Sequence, residues 1–271
     1  MGLPYARFYD RVLKLLQESE IPFLVGGGYA LNRHTALDRP ARDLDVFVLP
    51  ADAKRVLRFF SGHGYRTQLT YPHWLGKIYK GKGYVDIIFS SGNGVATVDP
   101  LWFEHGVDGN VLGHSVKLTP AEEMIWSKAF VMERDRFDGA DVIRLFLARG
   151  SDLDWRRLND RFREFPLVLL SHLTLFLFAF PSEVNLVPSG LWEELWHALE
   201  AERRHAPRAG RICRGTLLSR EQYLDLLAQG FRDARLAPDG MMQPKDVNTW
   251  TKAIGLLSKE SAQIVGPHDE G

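Results

Sequence analysis

The chain has 271 residues, 45% of them hydrophobic and 25% charged, which suits one large domain or two modest ones with ordinary cores. Lys plus Arg equals Asp plus Glu at 34 each, so no global field draws it to nucleic acid or to a membrane, and only local patches are left to do so. Cys213 is the sole cysteine, which excludes an internal disulfide framework and a cysteine-based zinc site and fits a reducing, cytoplasmic compartment.

Tyr5, Phe8, Val12 and Leu15 recur at helical spacing with Arg7, Asp10 and Arg11 among them, predicting an amphipathic helix rather than a signal-peptide core. Pro22-Phe23-Leu24-Val25 reads as a short strand running into Gly26-Gly27-Gly28 and a helix from about Tyr29 to Ala36. A strand around Leu44 to Leu49 and a helix from about Asp52 to Ser61 follow. Tyr65 to Tyr71, Trp74 to Lys80 and Tyr84 to Phe89 read as consecutive strands, punctuated by Pro72 and by Lys80-Gly81-Lys82-Gly83. A last strand is expected over Ser115 to Leu118. The first half, residues 1–118, therefore predicts an α/β (α+β) domain with a mixed sheet flanked by helices.

Beyond that point the pattern changes. Thr119-Pro120-Ala121-Glu122 supplies an N-cap, a first-turn proline and a capping-box glutamate for a helix reaching about Glu133. Further helices are predicted over about Gly139 to Arg149, Trp155 to Arg163, Leu167 to Phe180, Leu191 to Arg204 and, after a Ser219 cap, Arg220 to Leu236. Residues 119–258 thus read as an all-helical domain closing a cleft against the first, and residues 259–271 as a flexible tail. The stretch from Leu167 to Phe180 is too short to span a bilayer comfortably and reads as a buried helix, filling a core or a dimer interface. Trp192 and Trp196, at i,i+4, are expected in the core.

The chemistry is carried by three aspartates set among residues that read as buried strand. Asp43 and Asp45 open the run Asp43-Leu44-Asp45-Val46-Phe47-Val48, and strand alternation puts them on one face roughly 6.5 to 7 Å apart. Asp86 stands in Tyr84-Val85-Asp86-Ile87-Ile88-Phe89. If the strands are neighbours, three like charges converge, tolerable only when protonated, solvated or neutralised by a divalent cation. An oxygen-only cluster points to magnesium with a phosphate completing its shell. The glycine run entering a helix offers bare amides at a helix N-terminus for that phosphate. A dinucleotide fingerprint is disfavoured, because Leu31 occupies the offset where it needs a third small residue.

Taken together, a glycine turn, an Asp-x-Asp strand and a later single aspartate resemble the polymerase-beta-like nucleotidyltransferase superfamily over about residues 20 to 90. Gly-Gly-Tyr-Ala-Leu followed by His34-Thr35, Arg39, Arg42 and Asp43-Leu44-Asp45 looks most like its bacterial members related to abortive-infection toxins and minimal, antitoxin-associated nucleotidyltransferases. The resemblance implies transfer of a nucleoside monophosphate from a triphosphate to a hydroxyl or phosphate acceptor, with release of pyrophosphate. It implies that Asp43 and Asp45 hold the metal, Mg2+ or Mn2+, bound to the triphosphate, and that Asp86 binds a second ion or activates the acceptor as base. Gly26 and Gly27 would cradle the triphosphate, with Arg42, Lys77 and Lys128 as further nucleotide-binding candidates. Some of these families place a lysine in a helix after the catalytic domain, followed by basic residues and paired aspartates, which here reads Lys128, Arg134, Arg136, Asp138 and Asp141.

Each candidate has a plainer reading. Lys77 also fits an edge lysine that prevents sheet aggregation, Lys128 a solvated helix residue, and Asp138 a helix cap. His34 reads either as a phosphate contact or as a hydrogen-bonded structural residue. Six arginines and His205 between Arg203 and Arg220, with no acid among them, suit either an exposed loop or an RNA-backbone contact. The acceptor is left open among RNA or tRNA, protein and a small molecule. A noncatalytic nucleotide-binding or antitoxin-like interaction protein on the same fold is the rival from another class.

Overall fold

The computed structural model describes residues 5–205 and 210–252. The tail expected after about Ser258 lies outside them, as does part of the arginine-rich segment. Helix α1 (Ala6–Glu18) buries Phe8, Tyr9, Val12, Leu13, Leu15 and Leu16 along one face. It is followed by β1 (Leu24–Val25), α2 (Gly27–Thr35), β2 (Asp45–Phe47) and α3 (Pro50–Gly62). Strands β3 (Arg66–Tyr71), β4 (Leu75–Lys80) and β5 (Gly83–Ile88) form an antiparallel meander, and α4 (Pro100–Glu104), β6 (Val107–Val111) and β7 (His114–Leu118) complete the first half.

One seven-stranded sheet runs in the order β3-β4-β5-β2-β1-β7-β6. Strand β2 is parallel to β5 and antiparallel to β1, while β1 is parallel to β7, so the sheet is mixed as the sequence predicts. Alternation divides its centre into two faces. Val46, Val48, Val85, Ile87 and Phe89 are buried in the hydrophobic core, leaving Asp45, Lys77 and Asp86 together on the opposite face.

The second half continues with α5 (Ala121–Ala129), α6 (Gly139–Arg149), α7 (Trp155–Arg161), α8 (Pro166–Ala179), a short 3-10 turn (Pro181–Leu186) and α9 (Ser189–His205). Helix α6 packs on both α2 and α5, joining these helices to the sheet. A buried ion network reinforces the junction: Glu123, fully buried, meets Arg157 at 2.5 Å and Arg161 at 3.1 Å, and Arg161 reaches Asp99, the residue that caps α4, at 2.5 Å. Among the described residues no helix is long and apolar enough to cross a membrane.

Four expectations are corrected. Helix α5 stops at Ala129 rather than near Glu133, because Met132 bridges Phe137 and the Glu133 carboxylate is engaged by Ser219 and Arg220. The helix expected over Arg220 to Leu236 shrinks to α10 (Leu224–Ala228), since Gly230 turns the chain at φ 89° and strand β9 (Arg232–Asp233) pairs in parallel with β8 (Ile212–Cys213). A further helix, α11 (Pro244–Lys252), follows. Helix α8 buries only Leu169, His172, Leu173 and Phe176, and Phe178 is 86% exposed. Trp196 is 60% exposed, because Leu191 and Leu195, one step round α9, take the buried face.

Candidate active site

The site forms where β1, β2, β5 and α2 meet. Gly26 donates its backbone N–H to the Asp45 carbonyl at 2.9 Å, which pins the turn before α2 against β2. Gly26 has no room for a side chain, because the Phe47 ring, stacked on Trp102 with centroids 5.3 Å apart, fills the space a Cβ would take. Gly27 adopts φ +54°, and a Cβ there would run into the Asp45 carboxylate. Only glycine fits both demands. With Gly26's amide used in the sheet, the N–H groups that α2 leaves without an internal partner, beginning at Gly27, stand directly over Asp45.

Register sets the rest. Asp45 is the partner of Asp86 on β5, and Asp86 is in turn the partner of Lys77 on β4, so Asp45, Asp86 and Lys77 form one row across three strands. The Lys77 ammonium donates to Asp86 Oδ1 at 2.6 Å and lies 3.9 Å from the centroid of the Tyr84 ring. Asp43, in the segment just before β2, is half-buried, and Arg42 beside it is exposed.

Among the described residues the Asp43 and Asp45 side chains make no hydrogen bond or ion pair, and both are half-buried, so their oxygens stay open to solvent or to an ion. The electrostatics register it. Burial first, then the charges of Asp43 and Asp86, push the Asp45 carboxyl up to about 7, against the opposing pull of Lys128 and Arg136. Burial also raises Asp86, while Lys77 pulls it down by charge and hydrogen bond and Asp43 raises it again. Burial and then Asp43 hold the Tyr9 hydroxyl up at about 12 and raise that of Tyr29. These unpaired, crowded carboxylates are what a divalent cation would neutralise. No ready-made cluster of three metal-ligating side chains exists among the described residues, and Oδ1 of Asp86 is held by Lys77.

Lys128, Arg136, Asp138 and Asp141 do come together. The Lys128 ammonium reaches Asp138 at 3.0 Å and Asp141 at 2.9 Å, and Arg136 grips Asp138 through Nε at 2.9 Å and Nη2 at 2.8 Å. Burial pulls Lys128 down, but the two aspartates more than offset it, so its pKa is raised. Asp138 precedes α6 but its side chain makes no capping bond, because both oxygens serve the two cations. Arg134 is exposed.

His34 bonds to Thr119 and Arg149 rather than to the aspartates. One ring nitrogen, Nε2, donates to the Thr119 carbonyl at 2.8 Å, which leaves Nδ1 to accept from Arg149 at 2.6 Å. Burial first, with Arg149 adding to it, lowers its pKa and keeps the ring neutral. In the arginine-rich segment, Arg203 pairs with Glu200 and Arg214 with Glu202, so part of the apparent excess of positive charge is locally cancelled.

Tyr9, Tyr29 and Tyr84, whose hydroxyls all feel the charge of Asp43, carry no signal in the sequence, because isolated tyrosines on three separate elements have no spacing pattern.

By family the chain is a nucleotidyltransferase. More narrowly, residues 4–179 match the family described as uncharacterised nucleotidyltransferase, and the chain is a member of it and an enzyme of that class. No curated protein sequence matches the chain. Among solved structures it is similar to the antibiotic-resistance factor ANT(2'')-Ia in solution, at 18% identity and a TM-score of 0.44, covering 64% of this chain and 98% of that one. It is also similar to the lincosamide antibiotic adenylyltransferase LnuA in its lincomycin-bound form, at 16% identity and a TM-score of 0.37, covering 52% and 95%. The complex of ANT(2'')-Ia with adenylyl-2''-tobramycin gives 16% identity and a TM-score of 0.37, covering 58% and 93%.

Proposed function

We propose that this chain catalyses metal-dependent transfer of a nucleoside monophosphate from a nucleoside triphosphate to a hydroxyl or phosphate acceptor, releasing pyrophosphate. The observation that carries the reading is the register pair Asp45 and Asp86, with Asp45 unpaired, raised to about 7 and lying under the glycine-led start of α2. Asp43 and Asp45 would hold Mg2+ or Mn2+, which supplies charge neutralisation at the polyphosphate. Gly27 and the following amides take the phosphate oxygens. Asp86 takes the acceptor proton, the acceptor oxygen bonds to the α-phosphorus, and the bond to the α–β bridging oxygen breaks as pyrophosphate leaves. Lys77 orients Asp86, and Lys128 and Arg136 add positive charge on the helical side.

In this reading residues 1–118 carry the chemistry, residues 119–258 form the opposing wall, and the work is done in the reducing cytoplasm that a lone buried thiol suits. The test is incubation with each α-labelled triphosphate, Mg2+ or Mn2+, and in separate arms RNA, protein and small hydroxylated acceptors. Label transferred by the native chain but not by an Asp43→Ala, Asp45→Ala double variant supports the reading and identifies the acceptor class. Binding of triphosphate without transfer in every arm overturns it in favour of a binding role.

A further inference from the structure

Residues 211–252 lie beyond the family match and include a strap that holds two loops of the matched part. One is the loop directly after β5, the strand of Asp86. There Asn93 donates to the Leu217 carbonyl at 2.7 Å, Met242 packs over Gly94, and the Trp250 ring lies so close to Gly92 that a Cβ would be 2.6 Å from it. Trp250 also sits edge-on to Tyr71 and Trp74, with ring centroids 4.8 and 5.2 Å apart. Arg220 lies over the Trp250 ring at 4.9 Å from its centroid.

The second loop joins α5 to α6 and carries Arg136. The strap holds it through one side chain, Glu133, whose carboxylate accepts from the Ser219 hydroxyl and, at 3.0 Å, from the Arg220 N–H. Met132 N–H donates to the Leu218 carbonyl at 3.0 Å alongside. Glu133 then passes the constraint on, because its own N–H donates to the Arg136 carbonyl at 2.8 Å. Arg136 uses Nε and Nη2 on Asp138, while its side chain stays 66% exposed and Nη1 bonds none of the described residues. A guanidinium held by a fork on one edge and open on the other is pre-organised to meet a phosphate.

We propose that Glu133 is a positioning residue: gripped by the strap, it fixes the loop that presents Arg136 to the polyphosphate of a metal-bound nucleoside triphosphate, and it acts only through Arg136. The inference rests on the nucleotidyl-transfer reading above. Without the grip, the loop is ordered at the moment of binding, and that entropy is subtracted from affinity.

The test is calorimetric titration of the full chain with Mg2+ and the α,β-methylene analogues of the ribonucleoside triphosphates, which bind without turnover. Arg136→Met is expected to weaken the preferred analogue by about tenfold, the loss of one charged hydrogen-bonding group. Glu133→Gln is expected to weaken it by roughly fivefold, and Ser219→Ala by less in the same direction. The decisive arm is the double variant Glu133→Gln, Arg136→Met, which binds as Arg136→Met alone if Glu133 works through that arginine. Losses that multiply in the double variant overturn the proposal, as do Glu133→Gln and Ser219→Ala proteins that bind like the native chain. Should Glu133→Gln fail to fold, Ser219→Ala and its double with Arg136→Met carry the same comparison. An Arg136→Met protein that binds like the native chain overturns this inference while leaving the catalytic reading to its own aspartate test. A native chain that binds no analogue in Mg2+ overturns both.

Discussion

Asp45 and Asp86 are register partners on adjacent parallel strands, and the β4 residue next in that row, Lys77, donates to Asp86 but not to Asp45. The row is therefore asymmetric: one carboxylate is compensated and the other is not.

The uncompensated partner makes stability depend on pH. The folded-state pKa of Asp45 is pushed up to about 7 from the ordinary 3.8, so between those values the folded chain retains a proton that the unfolded chain has released. Stability from this group consequently falls as pH rises through the window and is lowest above about pH 7. Asp45→Asn removes that dependence. In metal-free buffer its melting temperature is expected to exceed that of the native chain at about pH 8 and to match it near pH 4, even though nucleotide binding is lost. A native chain that gains stability relative to Asp45→Asn on going from acid to alkaline pH contradicts the assignment.

Gly27→Ala tests the turn. The left-handed backbone at φ +54° and the approach of a Cβ to the Asp45 carboxylate together predict a loss of about 1–2 kcal/mol in urea unfolding. Triphosphate affinity is expected to fall further than stability does, because Asp45 must move aside. Unchanged affinity in a folded Gly27→Ala protein counts against the placement of phosphate at this turn.

Lys77→Met leaves Asp86 half-buried beside Asp43 without its cation. The expected cost is roughly 2 kcal/mol of stability, between an exposed and a fully buried ion pair. Turnover should fall while the Km for triphosphate changes little, since Asp86 and not the nucleotide loses its partner. A change confined to Km would instead place Lys77 on the nucleotide, the other reading its sequence position allows.

His34→Ala separates structure from chemistry. The ring joins α2 to the Thr119 carbonyl and to Arg149, so its removal should cost roughly 1–3 kcal/mol by leaving buried partners unsatisfied. Turnover per folded molecule, measured well below the melting point, is expected to stay native. A selective loss of turnover would show that His34 reaches the reactants.

Period-two alternation made the Asp43 and Asp45 pair visible in the sequence, and the glycine run before a helix marked the turn that rises over Asp45. The parallel pairing of β2 with β5 was not visible, because register depends on partners 41 positions apart in the case of Asp45 and Asp86. Lys77 could be seen as a strand lysine but not as the partner of Asp86, for the same reason. The helix expected over Arg220 to Leu236 has a genuine start signal, since Ser219 accepts N–H bonds from Glu221 and Gln222, but Gly230 ends the run soon after α10. Pro244 at the first position of α11, with Asp246 in its first turn, is a start signal that sequence reasoning passed over.

The pairing of Val25 with Leu118 places the middle of the sheet under the control of a strand made last in the first half of the chain. During synthesis β1 can gain β2 early but lacks its other neighbour until residue 118 has left the ribosome, and His34 waits as long for its acceptor on Thr119. Closing that loop is the slow, entropically costly kind of contact. The nascent protein therefore carries β1 with one edge open until β7 arrives, and the strand that leads into the turn over Asp45 is braced from both sides only then.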